Sequence, residues 1–268
     1  MLKIICNNQL FFSAAEDLAR RLNVSIIIDT DLNALPINTT AVLFDDKGVS
    51  LNSIDNQKTG PVLVDFVRGK LGYRLHHNEA KPLIAKAVGL KPGIIPTIWD
   101  MTAGLGQDAF ILAKLGCHVR MHERNQVVHC LLSDGLQRAK ASAKVSNDEV
   151  LKELVDRLTL VSGDAFNALT AAVENPSIQK PNVIYLDPMF PDRKKTAKVK
   201  KGMQMFHQLV GSDGDADILL ELALNVAESR VVVKRPKGAP VLGGQKPSLE
   251  FNGKTLRFDV YPLKKMDK

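Results

Sequence analysis

The stretch Asp100-Met101-Thr102-Ala103-Gly104-Leu105-Gly106-Gln107-Asp108-Ala109-Phe110-Ile111-Leu112-Ala113 decides how the rest of the chain is read. Before it, Ile98-Trp99-Asp100-Met101 is a short apolar run ending at small residues, which predicts a buried strand. After the turn, Ala109, Leu112, Ala113 and Leu115 recur at helical spacing until Gly116 stops them. Glycines at 104 and 106 let the backbone turn sharply and leave space above it, so a ligand can lie on the main chain at a helix N-terminus. The pattern predicts a nucleotide-type pocket. A G-x-G pair also fits a plain tight turn, and Ala109 stands where a dinucleotide fingerprint has its third glycine.

The next strand, Cys117 to Glu123, ends in an acid 19 residues beyond Gly104, where a carboxylate for ribose hydroxyls belongs in a Rossmann-like unit. A third apolar strand, Val183 to Asp187, runs into Asp187-Pro188-Met189-Phe190. Together Asp100, the glycine turn and Glu123 resemble the donor site of class I S-adenosylmethionine-dependent methyltransferases more than a dehydrogenase site. The tetrapeptide at Asp187 is similar to the D/N-P-P-Y/F of such enzymes acting on planar exocyclic amines, with Met189 replacing the commoner second proline.

A chain of 268 residues can bury one large core, or one domain with a small appendage. Hydrophobic content of 45% with 24% charged residues excludes a disordered chain. No apolar run approaches the ~20 residues of a membrane helix. The N-terminus, MLKIICNNQLFFSAAEDLARR, lacks the long apolar region of a secretory signal, so a cytoplasmic protein without a membrane partner is expected. Cys6, Cys117 and Cys130 are odd in number and lack C-x-x-C spacing; they read as core residues, and no metal is expected. A net charge of +7 suits a polyanionic partner, although it can also serve solubility alone.

Residues 1–69 read as a small α/β unit. Leu2 to Cys6 is a predicted strand, Ser13 to Leu22 a helix capped by Ser13, and Ser25 to Ile28 a second strand. Asp45-Asp46-Lys47-Gly48 is expected to turn a hairpin, and Val62 to Val67 to return as a strand. The unit either caps the main domain, residues 70–268, or helps to dock RNA. In the main domain Val127 to Ala143 and Glu149 to Leu158 read as helices. Asp164 after the strand Arg157 to Val161 either bonds an adenine amine or caps the next helix. Beyond Phe190, six cations fall in nine residues: Arg193, Lys194, Lys195, Lys198, Lys200 and Lys201. Such a run is often only a solvated face, but its position after the tetrapeptide favours phosphate contact. Leu249 to Phe251 and Thr255 to Val260 flank Asn252-Gly253, a terminal hairpin.

In that order the chain resembles the ribosomal RNA small subunit methyltransferase J family. The resemblance rests on D-M-T-A-G-L-G-Q-D-A-F-I-L-A, V-R-M-H-E-R-N-Q-V-V, V-I-Y-L-D-P-M-F-P with its lysine-rich sequel, and R-V-V-V-K-R-P. It implies a class I, Rossmann-like α/β methyltransferase sheet with the small N-terminal subdomain, S-adenosylmethionine as cofactor, and 16S ribosomal RNA or the small ribosomal subunit as partner. The implied reaction is methylation of a guanine N2 amine. By position, the family's donor site falls on Gln107 and Asp108, Glu123 and Arg124, Asp164 and Ala165, and Asp187, beside Asp100, Gly104 and Gly106. The catalytic set is Asp187, Pro188 and Phe190. One departure is Arg74 to Lys81, where family members carry a glycine-rich basic segment.

A guanine N2 lone pair is delocalised into the ring and is a poor nucleophile. The tetrapeptide answers this if the Asp187 carboxylate and the Pro188 carbonyl accept the amine hydrogens while Phe190 stacks on the base. Two other readings stay open on sequence alone: a methyltransferase for another planar amine, such as adenine N6 or a glutamine amide, and a non-catalytic RNA-binding protein on the same fold.

Overall fold

Two sheets of different construction divide the chain. The structure, a computed structural model, describes residues 1–55, 60–77, 82–189, 209 and 216–266. The first sheet comprises β1 (Leu2–Cys6), β2 (Ile26–Ile28), β3 (Thr39–Asp45), β4 (Gly48–Ile54) and β5 (Val62–Leu63), in the order β2-β1-β3-β4-β5. Between β1 and β2 lies α1 (Phe12–Leu22). β1 runs parallel to β2 and β3, and β3, β4 and β5 form an antiparallel meander. The expected hairpin turns as read: Lys47 N donates to Asp45 Oδ1 at 2.8 Å, and Gly48 takes φ +108°, a conformation that favours glycine.

Two local expectations need correction. Ser13 lies inside α1 and is not its cap; a 3-10 turn at Gln9–Phe11 precedes the helix, and Asn8 caps that turn by accepting from Leu10 N. The strand expected over Val62 to Val67 ends at Leu63. Asp65 Oδ1 accepts from Val67 N and Arg68 N, both at 2.9 Å, and this local bonding competes with the strand ladder.

The second sheet has seven strands: β6 (Ile98–Asp100), β7 (Val119–Glu123), β8 (Leu158–Ser162), β9 (Val183–Leu186), β10 (Arg230–Pro236), β11 (Leu249–Asn252) and β12 (Leu256–Pro262). Their order is β11-β12-β10-β9-β6-β7-β8. β6 to β10 are parallel, and β12 inserts antiparallel between β10 and β11. The described helices are α2 (Gly69–His76), α3 (Leu83–Ala87), α4 (Gln107–Lys114), α5 (Gln126–Ser146), α6 (Glu149–Asp156), α7 (Ala165–Glu174) and α8 (Ala216–Val226).

Both faces of this sheet are covered, which is why the central β9, Val183-Ile184-Tyr185-Leu186, reads as an unbroken apolar run. Val119, Met121, Tyr185 and Val232 pack with Phe110, Leu112 and Leu131 of α4 and α5, while Ile184, Leu186, Val231 and Val233 pack with Leu169 of α7 and Leu219 and Leu220 of α8. The first of these cores continues without a break into the small sheet, taking in Ile4, Val42, Phe44 and Leu51.

Candidate active site

β6 has β7 on one side and β9 on the other, so the chain reverses its direction of winding at β6. Loops leaving such a switch point diverge and open a crevice at the carboxyl ends of the strands. Three loops from the sequence motifs meet there: the glycine turn after β6, Glu123 closing β7, and Asp187 following β9.

The two glycines of the turn do different work. Gly104, at φ +54°, faces open space: an added Cβ would find nothing nearer than the Thr102 carbonyl oxygen at 3.9 Å. Gly106, at φ +72°, is buried, and a Cβ there would stand 2.8 Å from Leu132 Cδ1 and 3.2 Å from Phe66 Cζ. The expectation that both leave room for a ligand therefore holds for Gly104 only; Gly106 is the contact by which α4 sits against α5 and the segment after β5.

Glu123 is 7% exposed and reaches across this turn. Its Oε2 accepts from Gly104 N at 2.9 Å and its Oε1 from Asn125 N at 2.7 Å. These two bonds lock the direction of the carboxylate. Arg124 Nη1 lies 3.9 Å from Asp164 Oδ2. Asp164 itself caps α7, accepting from Phe166 N at 2.7 Å, and the buried Ala165 begins that helix. Gln107 is the exposed first residue of α4, whose N-terminus has no side-chain cap. The open face of Gly104, the uncapped amides of α4 and the fixed Glu123 carboxylate fit an adenosyl group carrying an amino-acid tail.

Asp100 is sealed beneath the turn, at 2% exposure, with Oδ1 accepting from Thr102 N at 3.1 Å. Burial, helped by the neighbouring Asp108 and Asp187, pushes its carboxyl up to about 8. Thr102 then turns to the neighbouring strand, where its Oγ1 accepts from Asp187 N at 2.6 Å. This bond fixes the tetrapeptide against the glycine turn. Pro188 follows, buried. Phe190 and the cations Arg193, Lys194, Lys195, Lys198, Lys200 and Lys201 lie outside the described residues.

A further member, missed on sequence, joins these loops. Lys234 Nζ donates to Asp187 Oδ2 at 2.9 Å and to Asp108 Oδ2 at 2.7 Å, and the Tyr185 hydroxyl donates to the same Asp108 oxygen at 2.7 Å. The register explains the meeting: β10 pairs Val233 with Leu186 of β9, and one residue further brings Lys234 opposite Asp187. Burial pushes the Tyr185 phenol well above its usual range, so it stays a hydrogen donor. The available signal was a lysine at the end of R-V-V-V-K, on the face that Val232 shares with Tyr185.

The strand order and the three converging loops define a class I S-adenosylmethionine-dependent methyltransferase. A family of SAM-dependent methyltransferases matches residues 26–263. The chain is 47% identical over 241 residues to ribosomal RNA small subunit methyltransferase J of Hahella chejuensis, covering 88% of this chain and 86% of that protein. It is 42% identical over 264 residues to the protein of the same name from Cellvibrio japonicus, covering 98% and 97%. The crystal structure of a SAM-dependent methyltransferase from Neisseria gonorrhoeae superposes with a TM-score of 0.70 at 35% identity, over 99% of this chain and 98% of that one. The chain belongs to the ribosomal RNA small subunit methyltransferase J family, and its cofactor is S-adenosylmethionine. Among the described residues no helix is long and apolar enough to cross a membrane, and no cluster of three His, Cys, Asp or Glu side chains could hold a metal.

Proposed function

We propose that this enzyme methylates the exocyclic N2 amine of a guanosine in 16S ribosomal RNA, as naked RNA or within the small subunit, and does so in the cytoplasm. The observation carrying the reading is that Asp187, which opens the amine-binding tetrapeptide, is tied by its backbone to Thr102 of the donor turn at 2.6 Å. The relatives named for small-subunit ribosomal RNA, and the basic run from Arg193 to Lys201, support the choice of RNA.

S-adenosylmethionine supplies an electrophilic methyl group on its sulfonium. Glu123 receives ribose hydroxyls, the Gly104 turn and Gln107 seat the rest of the donor, and Asp164 with Arg124 and Ala165 borders the adenine side. Asp187 and the Pro188 carbonyl accept the two amine hydrogens and draw the nitrogen lone pair out of the ring, while Phe190 stacks on the base. Asp187 and the donor turn are on adjacent strand ends, so the rate gain comes mainly from orientation. The base must be unpaired or flipped to enter.

Purified enzyme is incubated with S-adenosylmethionine and unmodified small subunits or 16S RNA, and the RNA is digested for nucleoside mass spectrometry. N2-methylguanosine is expected; N6-methyladenosine, or label recovered in protein, would replace this reading with another planar amine. Lys194, Lys195 and Lys198 changed together to alanine should flatten the salt dependence of RNA binding by roughly 0.7–0.9 in slope per lost phosphate contact. An unchanged slope would assign the run to solvent.

A further inference from the structure

We propose that Lys234 is a positioning residue for methyl transfer: its ammonium, shared by Asp108 and Asp187, holds the Asp187 carboxylate ionised and turned toward the amine of the target base. This rests on the reading of Asp187 as the amine acceptor.

The side chain of Lys234 is only 23% exposed and bridges two carboxylates carried by different elements, Asp108 on α4 and Asp187 after β9. Asp108 fixes the lysine from behind, since the same oxygen is also held by the Tyr185 hydroxyl. Among the described residues, the groups facing Asp187 include Lys234 from β10, Asp108 from α4, Asp100 at the end of β6 and Tyr185 from β9. Burial alone would pull the Lys234 ammonium down, but Asp187 and Asp108 outweigh it and place it above the usual lysine range, so it keeps its charge through the neutral region.

That charge has a chemical consequence at Asp187. A protonated Asp187 would offer a hydrogen where the amine also offers one, and the lone pair would not be released. With Lys234 removed, the neighbouring Asp108 carboxylate favours protonation of Asp187. A lysine serving only stability would act differently: its loss would lower the amount of folded enzyme, while the rate per folded molecule would keep the wild-type acid limb.

The test compares Lys234→Met and Lys234→Arg with wild type in single-turnover methylation of small-subunit RNA across pH, at saturating S-adenosylmethionine. In Lys234→Met the acid limb of the rate profile should move to higher pH by about one unit or more, which lowers the rate about tenfold or more at a fixed pH on that limb. Lys234→Arg should restore the wild-type limb, because a guanidinium keeps the charge. A Lys234→Met profile with the wild-type limb, whatever its height, overturns the inference. If that variant does not fold, Asp108→Asn with Lys234→Met removes the leftover carboxylate as well, and a smaller shift in the same direction is expected because the Lys234 ammonium is still gone from Asp187. Asp187→Asn separates the two levels. Wild-type transfer in that variant would sink the reading of Asp187 itself, whereas a dead Asp187→Asn beside an unmoved Lys234→Met limb sinks the role of Lys234 alone.

Discussion

Asp100 shows how a residue that sequence places at the head of a turn can behave in an unexpected way. It opens the glycine turn, but at 2% exposure it is an internal brace for Thr102, and burial raises its carboxyl to about 8 from an ordinary 3.8. The unfolded chain releases this proton near pH 4, while the folded chain keeps it until about pH 8. Between those values the native state binds more protons, so stability attached to Asp100 is full below pH 4 and is lost as pH rises through this window, by up to roughly 1.4 kcal/mol per unit. Asp100→Asn keeps an acceptor for Thr102 N and cannot ionise. Urea midpoints should show the variant gaining on wild type between pH 5 and pH 8; an equal difference at both values would mean that Asp100 is ionised in the folded protein.

At the scale of elements, the strand-turn-helix unit leaves one of its two glycines facing open space and packs the other. Gly104→Ala should cost about 1–2 kcal/mol of backbone strain at its positive φ, and it should also place a methyl group on the open face and weaken S-adenosylmethionine binding. Gly106→Ala carries similar strain and must also push aside Leu132 and Phe66, so it should be the less stable variant by a further ~1–3 kcal/mol. Thermal melts and calorimetric titration together check this; the expectation fails if Gly104→Ala binds the donor as wild type does. The convergence of Gly104, Glu123 and Asp187 was legible because Gly104 and Asp187 follow apolar runs that announce parallel strand ends, and Glu123 falls 19 residues beyond Gly104 at the end of the next strand. The split between the glycines was not legible, because Leu132 and Phe66 reach Gly106 from other elements. Lys234 was hidden for the same reason: its partners come from α4 and β9, and no local spacing encodes a three-way meeting. Caps and strand ends were missed where a nearby side chain outcompeted the expected pattern, as Asn8 did before α1 and Asp65 after β5.

For the whole molecule, we propose that residues 1–69 form a covering unit that cannot fold apart from the methyltransferase sheet. The join is close-packed. Asp134 of α5, 6% exposed, accepts through Oδ2 from Val49 N at 3.0 Å and from Arg138 Nε at 2.8 Å, and Arg138 in turn donates to the Val64 carbonyl. A Cβ on Gly135 would come within 2.9 Å of the Val64 backbone oxygen, so α5 lies directly on the chain there. Phe66 stacks on Phe110 of α4 with ring centroids 5.5 Å apart and planes within 2°. Because one hydrophobic core spans both sheets, separating them would expose the apolar faces of both. Unfolding in urea should therefore be a single transition, with the same midpoint from fluorescence of the sole tryptophan, Trp99 in β6, and from hydrogen exchange of β1, β3 and β4 amides. Asp134→Ala strands the Val49 N–H and leaves Arg138 without its carboxylate, a loss of about 2–4 kcal/mol that should lower both midpoints together. If the small sheet melts first while Trp99 stays native, the two units fold independently and the join is an ordinary domain contact.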